Sequence, residues 1–391
     1  MFQRVIKPTL QRLATQYPVI TMTGPRQAGK TTLCQQTFTD HAYVNLEDLS
    51  LRNQAISDPK GFLAQYKNGV ILDEIQRAPE LPSYIQPLVD QNQAPGQFIL
   101  TGSEQLEVTS TINQSLAGRS AILNLLPLST IETPLWIQNN NLDEILYTGF
   151  YPRILEKKLN PTEALAFYLS TYIERDLRQL IHLKDLQTFE RFLKLCAGQI
   201  GQLTNFSRLA NDCGISQNTV KSWLSLLQAS YIIFFVQPHF ENFRKRLTKS
   251  PKLYFHDVGL AAYLLDINKA EHLKQHPLRG ALFENLIVSE FLKNRYNHVK
   301  KSNLYFFRDH VGNEVDLILD YGHELVSVEI KSSASFHSEY LSGLNYYQKL
   351  AGTKNTRRIL IYSGETYSSD AQTSIYSYKN LGGLFSTLNE K

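Results

Sequence analysis

The segment with the clearest chemical pattern runs Gly24-Pro25-Arg26-Gln27-Ala28-Gly29-Lys30-Thr31 and fits G-x-x-x-x-G-K-[ST] at every fixed position. Its glycines let the backbone curl so that N–H groups point at phosphate oxygens, and its lysine reaches the outer phosphates. The apolar run Val19–Thr23 before it indicates a strand, and Thr32–Gln36 after it indicates a helix. This context predicts an ATP-binding loop in which the Thr31 hydroxyl also binds Mg²⁺.

A second element is the apolar run Gly69–Leu72, which ends in two acids, Asp73 and Glu74. In phosphate-loop proteins an acid at the end of such a strand faces the metal. We therefore expect Asp73 to hold Mg²⁺ through water and Glu74 to polarise the attacking water as general base. The candidate nucleotide-binding residues are Gly24, Pro25, Arg26, Gln27, Ala28, Gly29, Lys30, Thr31, Thr32 and Asp73.

Two further positions are candidates for sensing the terminal phosphate or stabilising its transfer. The predicted strand Phe98–Leu100 is followed by Thr101 and Ser103, and either hydroxyl is a candidate sensor unless it only caps the strand end. Arg119 is a candidate arginine finger for the nucleotide of a neighbouring subunit, which implies a homo-oligomer. An ion pair with a surface acid is the equally supported alternative for Arg119.

These motifs, taken together, resemble the prokaryotic AAA-type ATPases that carry a C-terminal domain of unknown function. The resemblance implies an AAA-like fold and nucleotide binding, and it implies little about physiology. One departure is Thr148, where the family usually has a second glycine. The segments that carry the resemblance are Gly24–Thr32, Asp73–Pro79, Leu100–Ser103, Ser115–Arg119, Gly149–Pro152, Tyr172–Asp176 and Phe255–Leu260.

Residues 201–255 are typical of a helix-turn-helix followed by two strands. Apolar residues repeat at i, i+3, i+4, i+7 in two successive stretches that are separated by Gly214. The predicted strands are Tyr231–Val236 and Lys252–Phe255, which makes the unit a winged helix. Its wing carries cations that could neutralise DNA phosphates, although many winged helices bind proteins instead. These cations are Arg244, Lys245, Arg246, Lys249 and Lys252.

The C-terminal region contains acids and a lysine on neighbouring predicted elements. Glu284 lies on a helical stretch, Asp316 begins a hairpin strand, and Glu329 and Lys331 lie about 6.6 Å apart on one face of the next strand. This order resembles the PD-(D/E)xK nuclease superfamily. The resemblance implies a possible second metal site formed by Glu284, Asp316, Glu329 and Lys331. The alternatives are a nuclease-like domain that only binds, and an edge strand with solvated charges.

Length and composition limit the class of protein. With 391 residues, 42% hydrophobic and 19% charged, the chain is a multidomain globular protein of the α/β class. A net charge of +4 is too small to mark the whole chain as a polyanion binder. Three separated cysteines favour a reduced, cytoplasmic compartment, and the apolar runs are too short for a membrane span. We expect a P-loop AAA-like ATPase core (1–135), a helical connector (136–200), a winged helix-turn-helix (201–265) and an α/β nuclease-like domain (270–391).

Two functions from different classes are consistent with these features. The first is a Mg²⁺-dependent ATPase that acts on DNA as a switch or motor. The second is a nucleotide-controlled protein-interaction module without nuclease chemistry. Salt-dependent DNA binding separates the two, because only phosphate contacts release counterions in proportion to their number.

Overall fold

The computed structural model describes residues 2–103, 115–172, 186–239, 250–365, 368–369 and 373–389 of the chain. It forms two compact units, each assembled from three separate segments of the chain. The first unit comprises Met1–Leu128, Leu226–Ile232 and Arg295–Lys301. The second comprises Ser129–Ser225, Ile233–Asn294 and Ser302–Lys391.

The first unit is built around a sheet of five parallel strands in the order β2-β3-β4-β1-β5. The predicted α/β architecture with a parallel sheet is therefore confirmed. The strands are β1 (Val19–Thr23), β2 (Ala42–Asn45), β3 (Val70–Asp73), β4 (Phe98–Gly102) and β5 (Ser120–Asn124). The helices are α1 (Lys7–Ala14), α2 (Lys30–Thr37), α3 (Leu49–Ser57), α4 (Pro59–Ala64) and α5 (Leu81–Gln91).

The central strands β3 and β4 are buried at every position, on both faces of the sheet, which explains why each begins with a continuous apolar run. In β3, Val70 and Leu72 pack into one core and Ile71 packs into the other. The same division holds in β4, where Phe98 and Ile99 enter opposite cores. Because all five strands are parallel, their carboxyl ends meet at one edge of the sheet, which is where parallel sheets bind ligands.

The second unit contains most of the helices. None of the helices in the part of the chain that the structure describes is both long and apolar enough to cross a bilayer. In the described stretch that ends at residue 172, the helices of this unit are α6 (Pro134–Asn139), α7 (Leu142–Thr148), α8 (Pro152–Lys157) and α9 (Pro161–Tyr172). The rest are α10 (Leu186–Gly198), α11 (Phe206–Cys213), α12 (Gln217–Ala229, whose last four residues belong to the first unit), α13 (Val258–Leu264), α14 (Arg279–Asn297, whose last three residues also do), α15 (Ser342–Ala351) and α16 (Leu381–Asn389).

The sheet of the second unit has eight strands in the order β12-β13-β11-β10-β9-β8-β6-β7. The two strands predicted as a separate wing, β6 and β7, pair with each other, and β6 also pairs in parallel with β8. They therefore extend the C-terminal sheet. The strands are β6 (Ile233–Pro238), β7 (Lys252–Phe255), β8 (Leu304–Arg308), β9 (Glu314–Asp320), β10 (Leu325–Lys331), β11 (Asn355–Tyr362), β12 (Ser368–Ser369) and β13 (Thr373–Ser377).

One predicted strand boundary is wrong. The strand expected to begin at Tyr231 begins at Ile233, and Tyr231 instead adopts a left-handed backbone with φ 56° just after α12. Its N–H bonds the carbonyl of Gln228 at 3.0 Å, which is a helix-ending contact and not a strand contact. The apolar run continues without a break through this turn, so hydrophobicity alone placed the boundary too early.

Candidate functional site

The predicted phosphate loop lies between β1 and α2, at the carboxyl edge of the parallel sheet. Gly24 has φ 150°, and a Cβ atom there would lie 2.0 Å from the Leu125 carbonyl oxygen, so only glycine fits. Lys30 begins α2, and its buried Nζ donates to the carbonyls of Gly24 at 2.8 Å and Pro25 at 2.9 Å. The loop is thus curled around the ammonium group that would contact phosphates.

Burial lowers the pKa of Lys30, and the nearby carboxylates of Glu74 and Asp73 partly offset this effect. The first-turn N–H groups of α2 lack intrahelical partners by the geometry of any helix start. Together with the lysine they form a cradle suited to anionic oxygens. A nucleotide phosphate is the ligand that this combination fits.

The Asp73 carboxylate ends β3 and accepts hydrogen bonds from three elements of the first unit. Thr31 donates to it at 3.0 Å and 3.1 Å, and the Tyr43 hydroxyl donates at 2.8 Å. Thr101 is the third donor. The predicted magnesium residues Thr31 and Asp73 are therefore adjacent, and a hydroxyl beside a carboxylate is a donor set that Mg²⁺ prefers. The structure is consistent with metal binding at this point.

Glu74 follows Asp73 in a left-handed backbone conformation with φ 58°, which is unfavourable for a residue with a side chain. Its carboxylate accepts from Ser103 at 3.1 Å and from the Gln76 amide. Gln76 also donates to the Ser103 hydroxyl at 3.1 Å. Strain of this kind persists where surrounding contacts hold it, and it concentrates at functional sites.

Thr101 and Ser103 contact different acids. Thr101 donates to Asp73, whereas Ser103 donates to Glu74, and both hydroxyls are buried. The structure therefore joins both candidate sensors to the predicted metal acid and the predicted base. Their role in sensing phosphate stays a prediction.

Arg119 lies just before β5 and forms a bidentate pair with Asp90 of the same chain. Its Nε and Nη2 donate to the two carboxylate oxygens at 2.5 Å and 2.9 Å. The pair is partly exposed, with side-chain exposures of 33% and 44%. This geometry favours the surface ion pair over the arginine finger, since the guanidinium already has an acidic partner.

Four residues at this site were not predicted from the sequence. Tyr43 lies on β2, a strand too short and too exposed to show a pattern. The Arg4 guanidinium donates to the carbonyls of Ala28 and Leu126, both at 2.7 Å, and so holds the phosphate loop from its outer side. Only Gln76 gave a signal, because it stands two residues after Glu74 in the quoted motif. The fourth is Tyr231, whose hydroxyl donates to the Asn124 side-chain oxygen at 2.7 Å.

In the second unit, three of the four predicted C-terminal residues come together. Asp316 on β9 accepts from the backbone N–H of Ile330 at 2.8 Å, and its carboxylate lies 3.7 Å from the Lys331 ammonium. Lys331 also donates to Glu329 at 2.5 Å. β10 lies between β9 and β11, so the alternative of a solvated edge strand is wrong, and Glu329 is 7% exposed.

The fourth residue, Glu284 on α14, is hydrogen-bonded by Tyr254 and Lys252 and not by Lys331. It accepts from the Tyr254 hydroxyl at 2.5 Å and from the Lys252 ammonium at 3.0 Å. Lys252 is 2% exposed and also pairs with Glu314 at 2.5 Å. The prediction that Lys252 contributes to a solvent-facing basic wing is wrong, because its ammonium is buried and pairs with Glu284 and Glu314. The other wing cations lie outside the described residues.

Electrostatics link these groups into one cluster. Burial, followed by the nearby Asp316, raises the pKa of Glu329 to about 8, and Lys331 partly counteracts this shift. One carboxylate oxygen of Glu329, Oε2, is buried without a hydrogen-bond partner. Even so, no three acidic, histidine or cysteine side chains within the described ranges converge as metal ligands do. Lys331 is the cation between Asp316 and Glu329, and a role for these residues as metal ligands stays a prediction.

The helix-turn-helix has the predicted faces. Leu209 and Ala210 of α11 and Trp223 and Leu224 of α12 are buried. Gly214 forms the turn with φ 70°, and Ser216 caps the second helix by accepting from the Thr219 N–H at 3.1 Å. The polar face of α12 is exposed at Gln217, Asn218, Lys221, Ser222 and Ser225.

Two of the quoted motifs pack against each other inside the second unit. The Asp257 carboxylate accepts from the N–H groups of Phe150 at 2.7 Å and Leu260 at 2.9 Å, and so caps α13. Gly149 and Gly259 are in backbone contact, where an added Cβ would lie under 3 Å from the partner. These motifs are explained by packing. The motif residues 173–176 lie outside the described residues.

Comparison with known families divides the chain into three parts. Residues 16–133 match the model described as an AAA domain. Residues 139–271 and 279–381 match two domains of unknown function, DUF8612 and DUF4143. The first match and the geometry above identify an AAA-type P-loop ATPase domain, which confirms the coarse part of the resemblance. The other two matches assign no activity.

The chain is also similar to two mycobacterial proteins in sequence and to solved structures in part of its fold. Uncharacterized proteins of Mycobacterium tuberculosis and Mycobacterium bovis are each 28% identical over 329 residues, covering 83% of this chain and 73% of theirs. The Walker-type ATPase of Pyrococcus abyssi is 13% identical with a TM-score of 0.44, covering 66% of this chain and 94% of that one. AMPPCP-bound DnaA from Aquifex aeolicus is 14% identical with a TM-score of 0.31, covering 57% and 86%.

Proposed function

We propose that this chain is a cytoplasmic, Mg²⁺-dependent ATP-binding and ATP-hydrolysing protein that acts as a DNA-associated switch or motor. The observation that carries the proposal is the meeting of Lys30, Thr31, Asp73 and Glu74 at the carboxyl edge of a parallel sheet. Phosphate release by the purified protein, measured with and without DNA, tests it. Hydrolysis that DNA accelerates supports both parts, and absence of ATP binding contradicts the proposal.

Each group has a distinct role in this proposal. The residues from Gly24 to Thr32 would hold the phosphates, and Lys30 would offset charge on the outer ones. Thr31 and Asp73 would bind Mg²⁺, which when present neutralises phosphate charge. Glu74 would accept the proton of the attacking water, held in place by Gln76 and Ser103. Thr101 would relay the state of Asp73 to β4.

Arg119 is assigned here to the surface pair with Asp90, with the finger role as the alternative. A finger that acts on a neighbouring subunit would make turnover per molecule rise with protein concentration. Turnover that does not depend on concentration supports the structural assignment.

The DNA-associated part of the proposal rests on the helix-turn-helix, which lies within the matched residues 139–271. Its second helix exposes a polar face on which Lys221 is the charged residue, and such a face suits a DNA groove. The wing cations Arg244, Lys245 and Arg246 would supply phosphate contacts. Because Lys252 is buried, the wing has one cation fewer than the sequence indicated, and this observation favours the alternative of a protein-interaction module. We keep DNA as the proposed partner and make the alternative an outcome of the test.

Changing Arg244, Lys245 and Arg246 to Glu is expected to weaken DNA binding equally for unrelated sequences. The slope of log Kd against log salt concentration should fall by about three, because about three phosphate contacts are lost. Fluorescence anisotropy with two unrelated duplexes over a salt series measures both quantities. Lys60→Glu with Lys67→Glu, two exposed positions outside this region, is the control. Unchanged affinity in the triple variant would assign the helix-turn-helix to a protein partner.

We propose that residues 270–391 form a nuclease-like domain that binds without cutting. The support is the lysine-neutralised cluster of Glu284, Asp316 and Glu329, in which Glu284 is already held by Lys252 and Tyr254. A bound divalent ion would have to displace these lysines, at the cost of buried charge.

Supercoiled plasmid incubated with the protein and Mg²⁺ or Mn²⁺ is therefore expected to stay intact. The readout is conversion to the nicked form on a gel, with a chelator and an Asp316→Ala variant as controls. Nicking that both controls remove, with ATP hydrolysis retained in the variant, would show a working metal-dependent nuclease.

A further inference from the structure

Tyr231 ends α12 in a position where glycine is the usual residue. Its N–H bonds the Gln228 carbonyl at 3.0 Å, and the N–H of Ile232 bonds the Leu227 carbonyl at 2.9 Å. This pair of contacts is the Schellman ending, in which the residue at the left-handed position is most often glycine. The preceding helix, α11, has Gly214 there with φ 70°. A buried tyrosine with φ 56° therefore occupies a strained position.

The side chain of Tyr231 enters the nucleotide-binding edge of the first unit. Its hydroxyl lies 2.7 Å from the Thr23 hydroxyl and donates to the Asn124 side-chain oxygen at 2.7 Å. Thr23 and Asn124 are themselves 2.9 Å apart, so the three oxygens form a closed triangle. Thr23 is the last residue of β1 and directly precedes Gly24. The phenol is 2% exposed.

The contacts of the neighbouring backbone make this triangle a fixed point for the loop. The Leu125 N–H donates to the Thr23 carbonyl at 2.8 Å, and Gly24 packs on the Leu125 carbonyl. A shift of Thr23 would therefore move the first residue of the phosphate loop. Burial also raises the pKa of the Tyr231 phenol, which keeps the hydroxyl protonated as a donor.

We infer that Tyr231 is a positioning residue for the phosphate loop, contributed by the segment Leu226–Ile232, which comprises the end of α12 and the turn after it. The inference rests on the proposed ATP-binding function. In this inference, the strained backbone of Tyr231 is retained because the Tyr231 hydroxyl fixes Thr23 and, through Thr23, the position of Gly24. A loop that is less well fixed loses contacts to phosphates in the ground state and the transition state alike, so affinity falls more than turnover.

Tyr231→Phe is expected to raise the Kd for Mg²⁺-ADP about fivefold, as expected for one lost buried hydrogen bond. The turnover number at saturating ATP should change by less than about twofold. Loss of folded protein alone would lower turnover and leave Kd unchanged, so the two readouts separate positioning from stability. Isothermal titration calorimetry and steady-state phosphate release measure them.

A double-mutant cycle and a matched control complete the test. Thr23→Val and Tyr231→Phe remove opposite ends of one contact, so their effects on Kd should be strongly non-additive. Val299→Gly is the control, because Val299 has the same left-handed helix-ending geometry (φ 55°), is 44% exposed, and should leave Kd unchanged. Additive effects, or a Kd of Tyr231→Phe equal to that of wild type, would overturn the inference.

Amide hydrogen exchange of residues 23–29, recorded without nucleotide, separates this inference from the proposed function. Faster exchange there in Tyr231→Phe, with unchanged exchange in Val299→Gly, supports positioning even if wild type binds no ADP. Wild-type exchange rates in Tyr231→Phe would overturn the inference whatever the protein binds.

Discussion

Replacing Lys30 by Ala is expected to abolish measurable ATP binding, whereas Glu74→Gln should bind ATP and lose hydrolysis. The two outcomes differ because the groups act at different atoms. Lys30 begins α2, and the phosphate loop curls around its buried ammonium, which is part of the phosphate cradle. Glu74 lies outside that cradle, where its carboxylate is held by Ser103 and Gln76.

For Glu74→Gln we expect the turnover number to fall by a factor of roughly 10²–10⁴, the usual contribution of a general base, with Kd for ATP within about threefold of wild type. Calorimetry gives Kd, and phosphate release gives turnover. Lys60→Ala, an exposed lysine on α4, controls for loss of charge alone. Hydrolysis by Glu74→Gln at the wild-type rate would mean that another group activates the water.

Lys252→Met is expected to destabilise the protein by about 3–5 kcal/mol at neutral pH, since it removes a buried ammonium and leaves the Glu284 carboxylate without its cation. Glu314, in contrast, keeps its pair with Arg308. Lys252 pairs with Glu284 at 3.0 Å and with Glu314 at 2.5 Å, and it is 2% exposed. Burial alone would lower its pKa, but the acids around it raise the pKa well above the ordinary value. Urea unfolding followed by tryptophan fluorescence gives the free energy difference.

Lys194→Met is the matched control. Lys194 pairs with Asp266 at 2.8 Å, but the two side chains are 52% and 72% exposed, so about 0–1 kcal/mol is expected. An equal loss in both variants would contradict the buried-pair assignment.

The pH dependence supplies a second check on Lys252. Burial raises the pKa of Glu284, and removal of the Lys252 ammonium would raise the pKa of Glu284 further. The folded state of Lys252→Met therefore binds a proton more readily than the unfolded state, so its stability deficit should narrow as the pH falls from 7 toward 5. Adding Glu284→Gln to Lys252→Met should recover part of the lost stability at neutral pH, because it removes one unpaired charge.

The parts of the site that depend on local order could be predicted from the sequence. A glycine-rich loop between a strand and a helix fixes its own geometry, so the sequence predicts where Lys30 and Thr31 lie in the fold, while their roles stay predictions. Asp73 was found because a buried parallel strand ends there. Tyr43 and Tyr231 could not be found in this way, because each reaches the site from a strand or segment distant in the chain.

Lys252 shows why charge alone misleads. A lysine beside other cations in a predicted wing is usually solvated, and only the packing of α14 against the sheet brings Glu284 to it. The pairing of β6 with β8 likewise depends on residues about 70 positions apart in the chain, and period-two patterns carry no information about such partners.

The division of each unit among three chain segments has a consequence for synthesis. The first unit includes Leu226–Ile232 and Arg295–Lys301, so its last pieces leave the ribosome well after its strands do. At roughly 5–20 residues per second, the stretch from residue 128 to 301 takes on the order of 10–35 s to translate. During that interval the nascent phosphate loop lacks Tyr231 for part of the time, and the start of the loop is not yet fixed. Nucleotide affinity should therefore rise late in translation, and a gene fragment that ends near residue 135 should bind nucleotide more weakly than the full chain.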